Sequence, residues 1–182
     1  MNAFAIWRRL DVPGHDAALL APTSTGYVLT GTAVFTHEAG PACINYSMQI
    51  RADWTTERGT VRGFLADREL DHVIERTSDG WRLDGDLIPG LQRLVDLDFG
   101  FTPATNLQQL QRIGLAEGQS VDVPVVWYDV DAATLIELPQ RYERRDRFTY
   151  WYVSPTVPYE ALLELAPNGF VRVYPELWVM EE

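Results

Sequence analysis

Between residues 44 and 54 the sequence alternates between apolar and polar side chains, and this alternation limits the possible fold more than any other feature. The even positions carry Ile44, Tyr46, Met48, Ile50 and Trp54, and the odd positions carry Asn45, Ser47, Gln49, Arg51 and Asp53. Successive side chains of a β-strand point to opposite faces, so a period of two predicts a strand. The segment is therefore expected to form a long strand with one buried face and one face in water.

The rest of the chain contains shorter runs of the same character. Further strands are predicted at residues 3–10, 15–21, 26–35, 58–66, 70–77, 81–84, 91–101, 121–130, 134–143, 147–153, 159–166 and 170–174. Turn residues separate many of these runs, and Asn168-Gly169 is the strongest hairpin signal among them. Short strands with turns about every 8 to 12 residues favour an antiparallel β fold over repeated β-α-β units. We expect one domain over residues 1–182, mainly β, with at most one or two short helices.

Some positions interrupt these patterns. Gly31 lies inside the run 26–35, where a glycine predicts a bulge or a bend of the sheet. Pro124 and Pro139 fall inside two later strands and are expected at an edge or a bulge, because proline has no N–H for strand pairing.

One short helix is possible at residues 107–113. Three apolar residues of this segment have helical spacing, Gly114 follows as a C-terminal signal, and Thr105 or Asn106 is available as the N-cap. An extended segment fits the same residues almost as well.

The total charge excludes some classes of partner. The formal net charge is −11, and all 15 basic residues are arginine. This negative balance opposes binding to nucleic acid and to anionic membrane surfaces. The single cysteine, Cys43, excludes an internal disulfide, and no run approaches the roughly 20 apolar residues that span a bilayer. The first residues do not resemble a signal peptide, so a cytoplasmic protein is expected.

Several late strands are apolar on both faces. In the run 147–153, Phe148, Tyr150 and Tyr152 alternate with Trp151 and Val153. A sheet with two apolar faces must cover both of them. A curled sheet that encloses an apolar groove and an ordinary two-layer sandwich both satisfy this requirement. The six Trp and eight Tyr residues slightly favour a cavity, because their polar tips can meet a ligand head group.

The segment 94–106, LVDLDFGFTPATN, lies near the middle of the chain and has unusual chemistry. If it is a strand, Asp96 and Asp98 share one face, roughly 6.5 Å apart along the chain. Two carboxylates at this spacing suit acid–base catalysis or a hard cation. The favoured alternative is structural, an ion pair with an arginine of a neighbouring strand, such as Arg62 or Arg141, or hydrogen bonds to backbone donors at the Thr102-Pro103 corner.

Three segments together resemble the putative glycolipid-binding family of bacterial proteins. They are LVDLDFGFTPATN, LPQRYERRDRFTYWY at 138–152 and VRVYPELW at 171–178. The resemblance implies a strongly curved antiparallel sheet, a half-open barrel related in shape to bacterial lipoprotein carriers, and lipid binding. The matching positions are Asp96, Asp98, Gly100, Phe101, Thr102, Pro103, Thr105, Asn106, Gln140, Arg141, Tyr142, Tyr174, Pro175 and Trp178. This chain departs from the family at Gln109, where members often carry proline.

Candidate ligand-binding residues come from these segments and from aromatic positions on the strands. Strand alternation places Gln140 and Tyr142 on one face and Arg141 on the other. The guanidinium of Arg141 suits a carboxylate or phosphate ligand. The amide of Gln140 and the phenol of Tyr142 suit sugar hydroxyls. An ion pair between Arg141 and an aspartate competes with that role. The candidates are Asp96, Asp98, Asn106, Gln140, Arg141, Tyr142, Trp54, Trp127 and Tyr150.

Three functions fit these observations. The first is a non-catalytic protein that binds an amphipathic ligand, such as a glycolipid or acyl compound, on the concave side of the sheet. The second is a hydrolase or isomerase that uses Asp96 and Asp98. The third is a structural module or homodimer that buries the surplus apolar face. No catalytic or metal-binding motif is present, so neither a cofactor nor a metal is expected.

Overall fold

The alternating segment lies in a twelve-residue strand, Gly40–Arg51, whose even positions from 42 to 50 are buried. The odd positions of the strand are exposed or half-buried, so the predicted faces are confirmed. Trp54 lies beyond the strand, because the chain turns where the Arg51 carbonyl accepts the Trp54 N–H at 2.9 Å. Its ring stacks on Tyr27 with 4.1 Å between centroids.

The computed structural model describes residues 2–181, which contain seventeen strands and one helix. The strands are β1 (Ala3–Arg9), β2 (Gly14–Pro22), β3 (Gly26–His37), β4 (Gly40–Arg51), β5 (Thr56–Leu65), β6 (Arg68–Thr77), β7 (Gly80–Leu83), β8 (Asp86–Ile88), β9 (Leu97–Phe99), β10 (Ser120–Asp122), β11 (Val125–Asp129), β12 (Thr134–Leu138), β13 (Arg141–Arg144), β14 (Thr149–Ser154), β15 (Tyr159–Leu165), β16 (Val171–Tyr174) and β17 (Trp178–Met180). The helix is α1 (Asn106–Ile113), and Gly114 ends it in the left-handed conformation. The helical alternative for residues 107–113 is confirmed.

Fourteen strands form one antiparallel sheet with two arms. β1 lies in the middle, and β2 to β8 extend in sequence order to one edge. β17, β16, β15, β14, β13 and β10 extend in that order to the other edge. The edge strands β8 and β10 do not pair with each other, so the sheet is curved but open. The mainly β, curved antiparallel fold is confirmed.

A second sheet of three strands, in the order β12-β11-β9, lies outside this arrangement. β9 and β11 run parallel, which the sequence did not predict. The predicted strands 121–130 and 134–143 are each divided between the two sheets, at Pro124 and Pro139. A proline donates no hydrogen bond, so pairing stops at both positions and the chain passes from one sheet to the other.

The small sheet and the segment that leads into α1 cover the concave face of the large sheet. Ile44 and Trp81 of the large sheet pack in one buried cluster with Leu97 and Phe99 of β9. The approach is close, because a Cβ added at Gly59 of β5 would lie 2.5 Å from the Leu97 Cδ2 atom. The protein therefore combines the two alternatives, a curled sheet and a second packed layer, and covers most of its apolar surface with its own chain.

Gly31 produces no bulge, so the first of the two predicted alternatives, a bulge or a bend, is wrong. It pairs in register with Ala18 on β2 and with Tyr46 on β4. A Cβ at Gly31 would lie 2.2 Å from the Tyr46 hydroxyl oxygen. The glycine instead allows the Tyr46 ring to cross β3 on the buried face.

Candidate functional site

A partly open cavity of about 200 Å³ lies between β9, α1, β11 and the strands β14 to β16. Most of its wall is apolar or aromatic, from Phe99, Trp127, Leu138, Tyr152, Val157, Tyr159, Tyr174 and Leu177. Its polar side chains are Asp98, Thr102, Asn106 and Ser154. Val157 is 48% exposed and marks the mouth, whereas all four polar side chains are buried. The cavity is thus mainly apolar, and its few polar side chains lie at buried positions.

Asp98 is the single charged side chain of the cavity wall. The Thr105 hydroxyl donates a hydrogen bond to its Oδ1 atom, and the Gln140 Nε2 atom lies 3.4 Å from Oδ2. Burial removes water from the carboxylate and raises the pKa of Asp98 to about 6, although these donors act in the opposite direction. Asp98 therefore titrates close to neutral pH in a site that a ligand can reach.

Thr105, a predicted N-cap residue of α1, donates its side-chain hydrogen bond to this carboxylate and not to the helix backbone. Thr105 occupies the N-cap position, but its side chain makes no hydrogen bond to the helix backbone. An N-cap hydroxyl usually satisfies an N–H of the first turn and contributes about 1 kcal/mol to helix stability. Here the hydroxyl donates to Asp98, so α1 lacks the stabilisation of a side-chain cap and the carboxylate is held in position.

A buried layer of polar side chains lies behind Asp98. The Asn106 Nδ2 atom donates to the Tyr142 hydroxyl at 2.9 Å. That hydroxyl lies 3.0 Å from the Gln109 Oε1 atom and 3.1 Å from the Gln140 Oε1 atom. Because Gln140 also contacts Asp98, the layer connects α1 to β13 and restricts the orientation of the carboxylate.

Three neighbouring tyrosines form part of the cavity wall. The ring centroids of Tyr152, Tyr159 and Tyr174 are separated by 5.5 to 6.1 Å. Burial, with a smaller contribution from the charge of Asp98, raises the pKa of Tyr152 to about 12. The phenol therefore remains neutral in the physiological range and presents an aromatic surface with hydroxyl tips.

Residues 4–179 of the chain match a family model described as putative glycolipid-binding. The chain belongs to this family. A crystal structure of a DUF1089 family protein from Pseudomonas aeruginosa has the same fold, with a TM-score of 0.69 and 22% identity over 98% of this chain and 91% of that chain. No curated protein matched the chain.

The segment 94–106, which carried much of the resemblance to the glycolipid-binding family, supplies one side of the cavity. Its lining residues are Asp98, Phe99, Gly100, Thr102 and Asn106. Gln109, where the chain departs from the family, lies inside α1 and is fully buried. Glutamine at this position thus supports a regular helix and contributes an acceptor to the polar layer.

Asp96 has a different environment and does not line the cavity. Its carboxylate receives two hydrogen bonds from Arg112, at 2.7 and 2.5 Å, and one from the Gln108 Nε2 atom at 2.8 Å. An ion pair was one of the predicted alternatives, but the partner comes from α1 and is neither Arg62 nor Arg141. The predicted strand 91–101 is reduced to the three residues of β9, so Asp96 lies outside the strand, and both aspartates are buried.

The remaining predicted residues lie in different places. Trp127 lines the cavity. Arg141 is exposed on the face opposite to Gln140 and forms an ion pair with Asp122 at 2.9 Å, in agreement with the alternation. Tyr150 is buried in a second core cluster, and the stacked Trp54 is absent from the cavity wall. The ligand role of each candidate stays a prediction.

A third buried carboxylate, Asp16, lies beside the cavity wall and was not predicted. Asp16 of β2 accepts hydrogen bonds from the Tyr46 hydroxyl, at 3.1 and 2.9 Å, and from the Thr102 hydroxyl. Burial raises the pKa of Asp16 to about 7. Thr102 thus attaches the cavity wall to the large sheet.

The sequence analysis also missed lining residues at the mouth and on the far wall. Val157, Tyr159 and Leu177 belong to no local pattern that distinguishes them from core or loop residues. Tyr174 was a matching position of the family resemblance, which was the one available signal. Within residues 2–181 there is no group of three or more His, Cys, Asp or Glu placed to hold a metal ion. Over the same residues, no helix is long and apolar enough to cross a membrane.

Proposed function

We propose that the protein is a non-catalytic binding protein that takes the polar part of an amphipathic ligand, such as a glycolipid, into the cavity beside Asp98. The observation that carries the proposal is the distribution of polarity in the cavity. The exposed Val157 stands at the mouth, and the buried Asp98, Asn106 and Ser154 provide hydrogen-bonding groups inside. Apolar cavities with a few convergent polar groups are typical of small-molecule sites.

The size of the cavity restricts what it encloses. At about 200 Å³ it is smaller than the roughly 300 to 1,000 Å³ of most ligand pockets. It therefore holds a head group and a few methylenes, while the remaining chain lies outside the mouth. Each buried methylene contributes about 0.8 kcal/mol against an association cost of about 4 to 15 kcal/mol. Contacts of the head group with the polar interior must supply the rest of the affinity.

Blocking the mouth tests the proposal. Val157→Trp places a large ring at the entrance, and Val34→Trp makes the same change at a residue of similar exposure, 51% against 48%, that does not line the cavity. Native mass spectrometry and tryptophan fluorescence would follow binding of octyl β-glucoside and of lipids extracted from the host. We expect Val157→Trp to weaken binding about tenfold or more and Val34→Trp to bind like the unchanged protein. Absence of binding to every compound, or equal binding by both variants, would contradict the proposal.

A catalytic role is the second candidate, and the structure concentrates it on Asp98. Asp96 is neutralised by Arg112, so the two carboxylates do not form a shared acid–base pair. A carboxyl group with a pKa of about 6 in a cavity suits general acid or base catalysis. Incubation with octyl glycosides and octyl esters, followed by mass spectrometry, should then show products that disappear in Asp98→Asn. Unchanged compounds after prolonged incubation would exclude this role for those substrates.

An interaction surface is the third candidate. Phe4 is 74% exposed and pairs in register with Leu19, which is 39% exposed, on the solvent side of β1 and β2. Ile6, on the same face of β1, is 44% exposed. If this face mediates homodimerisation, solution scattering should give a dimer mass that Phe4→Glu reduces to that of a monomer.

A further inference from the structure

We propose that the head group of the ligand carries a cationic nitrogen, as a protonated or quaternary amine, which binds between Asp98 and the aromatic wall of the cavity. The inference rests on the proposed binding function and adds the chemical class of the polar end. It separates a cationic head group from a neutral sugar and from an anionic head group such as a phosphate or carboxylate.

The charges in the cavity exclude an anionic head group. Among residues 2–181, no Arg or His side chain lines the wall, and Asp98 is its single charged group. The nearest arginine on α1, Arg112, is held by both oxygens of Asp96. A phosphate or carboxylate would therefore meet a negative charge at close range and no positive one, and buried like charges repel strongly.

Asp98 retains the capacity to accept further hydrogen bonds. A carboxylate offers about four acceptor positions. The side chains that contact Asp98 are uncharged, and of the two, Gln140 lies at the long distance of 3.4 Å. Because Asp98 lines the cavity, a ligand donor can use the remaining positions, and a cation would compensate a buried charge that the protein leaves uncompensated.

The aromatic wall offers the second half of a cation site. Trp127, Tyr152, Tyr159 and Tyr174 line the same cavity as Asp98. A cation within about 6 Å of an aromatic centroid is attracted by the ring face, and clustered aromatic rings are a recurrent way to bind ammonium groups.

No internal cation uses these rings. Over the part of the chain that the structure describes, the arginines that lie above aromatic rings contact Phe35, Trp178, Tyr150, Trp151 and Phe148. None of those rings lines the cavity. Among the described residues, no arginine therefore occupies the aromatic rings that line the cavity with Asp98.

The surroundings of Asp98 define how binding should depend on pH. The other titratable or charged groups near it are Asp96 with its partner Arg112, the phenols of Tyr142, Tyr152 and Tyr174, and, beyond Tyr159 at the rim, Glu176. Burial raises the pKa of these phenols, so they stay neutral at pH 8. Two carboxyl groups change charge between pH 5 and pH 8. Asp98, with a pKa of about 6, lines the cavity, whereas Asp16, with a pKa of about 7, lies behind the lining residue Thr102. A ligand with a permanent positive charge should therefore bind more tightly as pH rises through 6.

Three probes with the same tail separate the alternatives. Octyltrimethylammonium, octyl β-glucoside and octanoate differ in head group, and the charge of the first does not change with pH. Isothermal titration of the full chain would be made at about pH 8 and about pH 5, with each probe below its micellar concentration. We expect octyltrimethylammonium to bind about tenfold tighter than octyl β-glucoside at pH 8, with octanoate weakest, and to lose about tenfold at pH 5.

Asp98→Asn removes the charge and keeps the size and the acceptor for Thr105. It should reduce ammonium binding about tenfold and change glucoside binding by less than about threefold. Asp122→Asn makes the same change of net charge at an exposed residue that does not line the cavity and should alter neither affinity.

Each outcome decides the question. If octyl β-glucoside binds as tightly as the ammonium probe at pH 8, or if Asp98→Asn leaves ammonium binding unchanged, the cationic head group is wrong and the binding function stands. If none of the three probes binds, the binding function fails as well. Should Asp98→Asn not fold, as judged by circular dichroism, the pH profile of the unchanged protein decides, because equal ammonium affinity at pH 5 and pH 8 would overturn the inference.

Discussion

The surroundings of Asp96 and Asp98 differ although the two residues are separated by one position on the same segment. Both carboxylates are buried. Asp96 is neutralised by Arg112 and Gln108 of α1, whereas Asp98 has neutral donors and borders a cavity. A paired buried carboxylate holds two elements together, and an uncompensated one opposes folding unless something else binds it. Asp96 thus holds α1 against β9, and of the two carboxylates only Asp98 is placed to contact the proposed ligand.

Removing the charge of Asp96 should have the largest effect on stability. Asp96→Asn leaves the Arg112 guanidinium without a counter-charge, although its side chain is 26% exposed and water recovers part of the loss. We expect the free energy of unfolding, measured with urea at neutral pH, to fall by about 3 kcal/mol. Asp122→Asn, which breaks an exposed pair with Arg141, is the matched control and should change it by less than about 1 kcal/mol. A loss below about 1 kcal/mol in Asp96→Asn would remove the distinction between the two carboxylates.

Asp98→Asn, unlike Asp96→Asn, should increase the stability of the protein at pH 8. The pKa of Asp98 is raised to about 6 in the folded protein, so the favourable contribution is complete below about pH 4 and is lost as pH rises through 6. Replacing the carboxylate with an amide removes this loss. The variant should gain about 2 kcal/mol over the unchanged protein at pH 8 and show little difference at pH 4. Urea unfolding at both pH values would measure it, and a destabilised variant at pH 8 would mean that Asp98 is structural like Asp96.

Tyr46→Phe tests the third buried carboxylate, Asp16, which has hydroxyl donors and no cation. The phenol donates to the ionised form more strongly than to the neutral form, and the pKa of Asp16 is about 7. The raised pKa means that the stability contribution of Asp16 is present below about pH 4 and is lost as pH rises toward 7. We expect the variant to lose about 1 kcal/mol at pH 4 and about 2 kcal/mol at pH 8. An equal loss at both values would show that Asp16 does not ionise in the folded protein.

Arg141→Ala should have the smallest effect. Arg141 was a predicted ligand residue, but its side chain is 52% exposed and its partner Asp122 is 75% exposed. Exposed ion pairs contribute less than about 1 kcal/mol to stability. The free energy of unfolding, measured by thermal unfolding, should therefore change by less than about 0.5 kcal/mol. The affinity for octyl β-glucoside should stay the same. Weaker binding would place part of the ligand on the outer face of β13.

Elements whose signal lies in neighbouring residues were predictable from the sequence. The alternation in β4 identified its buried face, and Gly114 correctly marked the end of α1. Pro124 and Pro139 were recognised as interruptions, but that the chain changes sheets at both prolines depends on strands far away in the sequence. Gly31 was misinterpreted for the same reason, because the Tyr46 ring that requires it belongs to another strand.

The candidate site was predictable only in part. Asp98, Asn106 and Trp127 were identified and line the cavity. Trp54, Tyr150 and Arg141 were also candidates but do not line the cavity. The type of an aromatic or charged residue does not reveal which layer of the protein its side chain faces. Val157 and Tyr159 had no signal, because a cavity wall is formed by residues that tertiary folding brings together.

By itself, the sequence determined that this chain forms a mainly β protein with an acidic surface, and which face of its clearest strand is buried. These properties depend on composition and on the period of adjacent side chains. Only the tertiary structure decided that Arg112 reaches Asp96 across 16 positions, and that the side chains reaching Asp98 are the uncharged Thr105 and, across 42 positions, Gln140. The physical reason is that burial and pairing of a charge depend on where α1 and the small sheet pack against the large one, and no local pattern specifies that position.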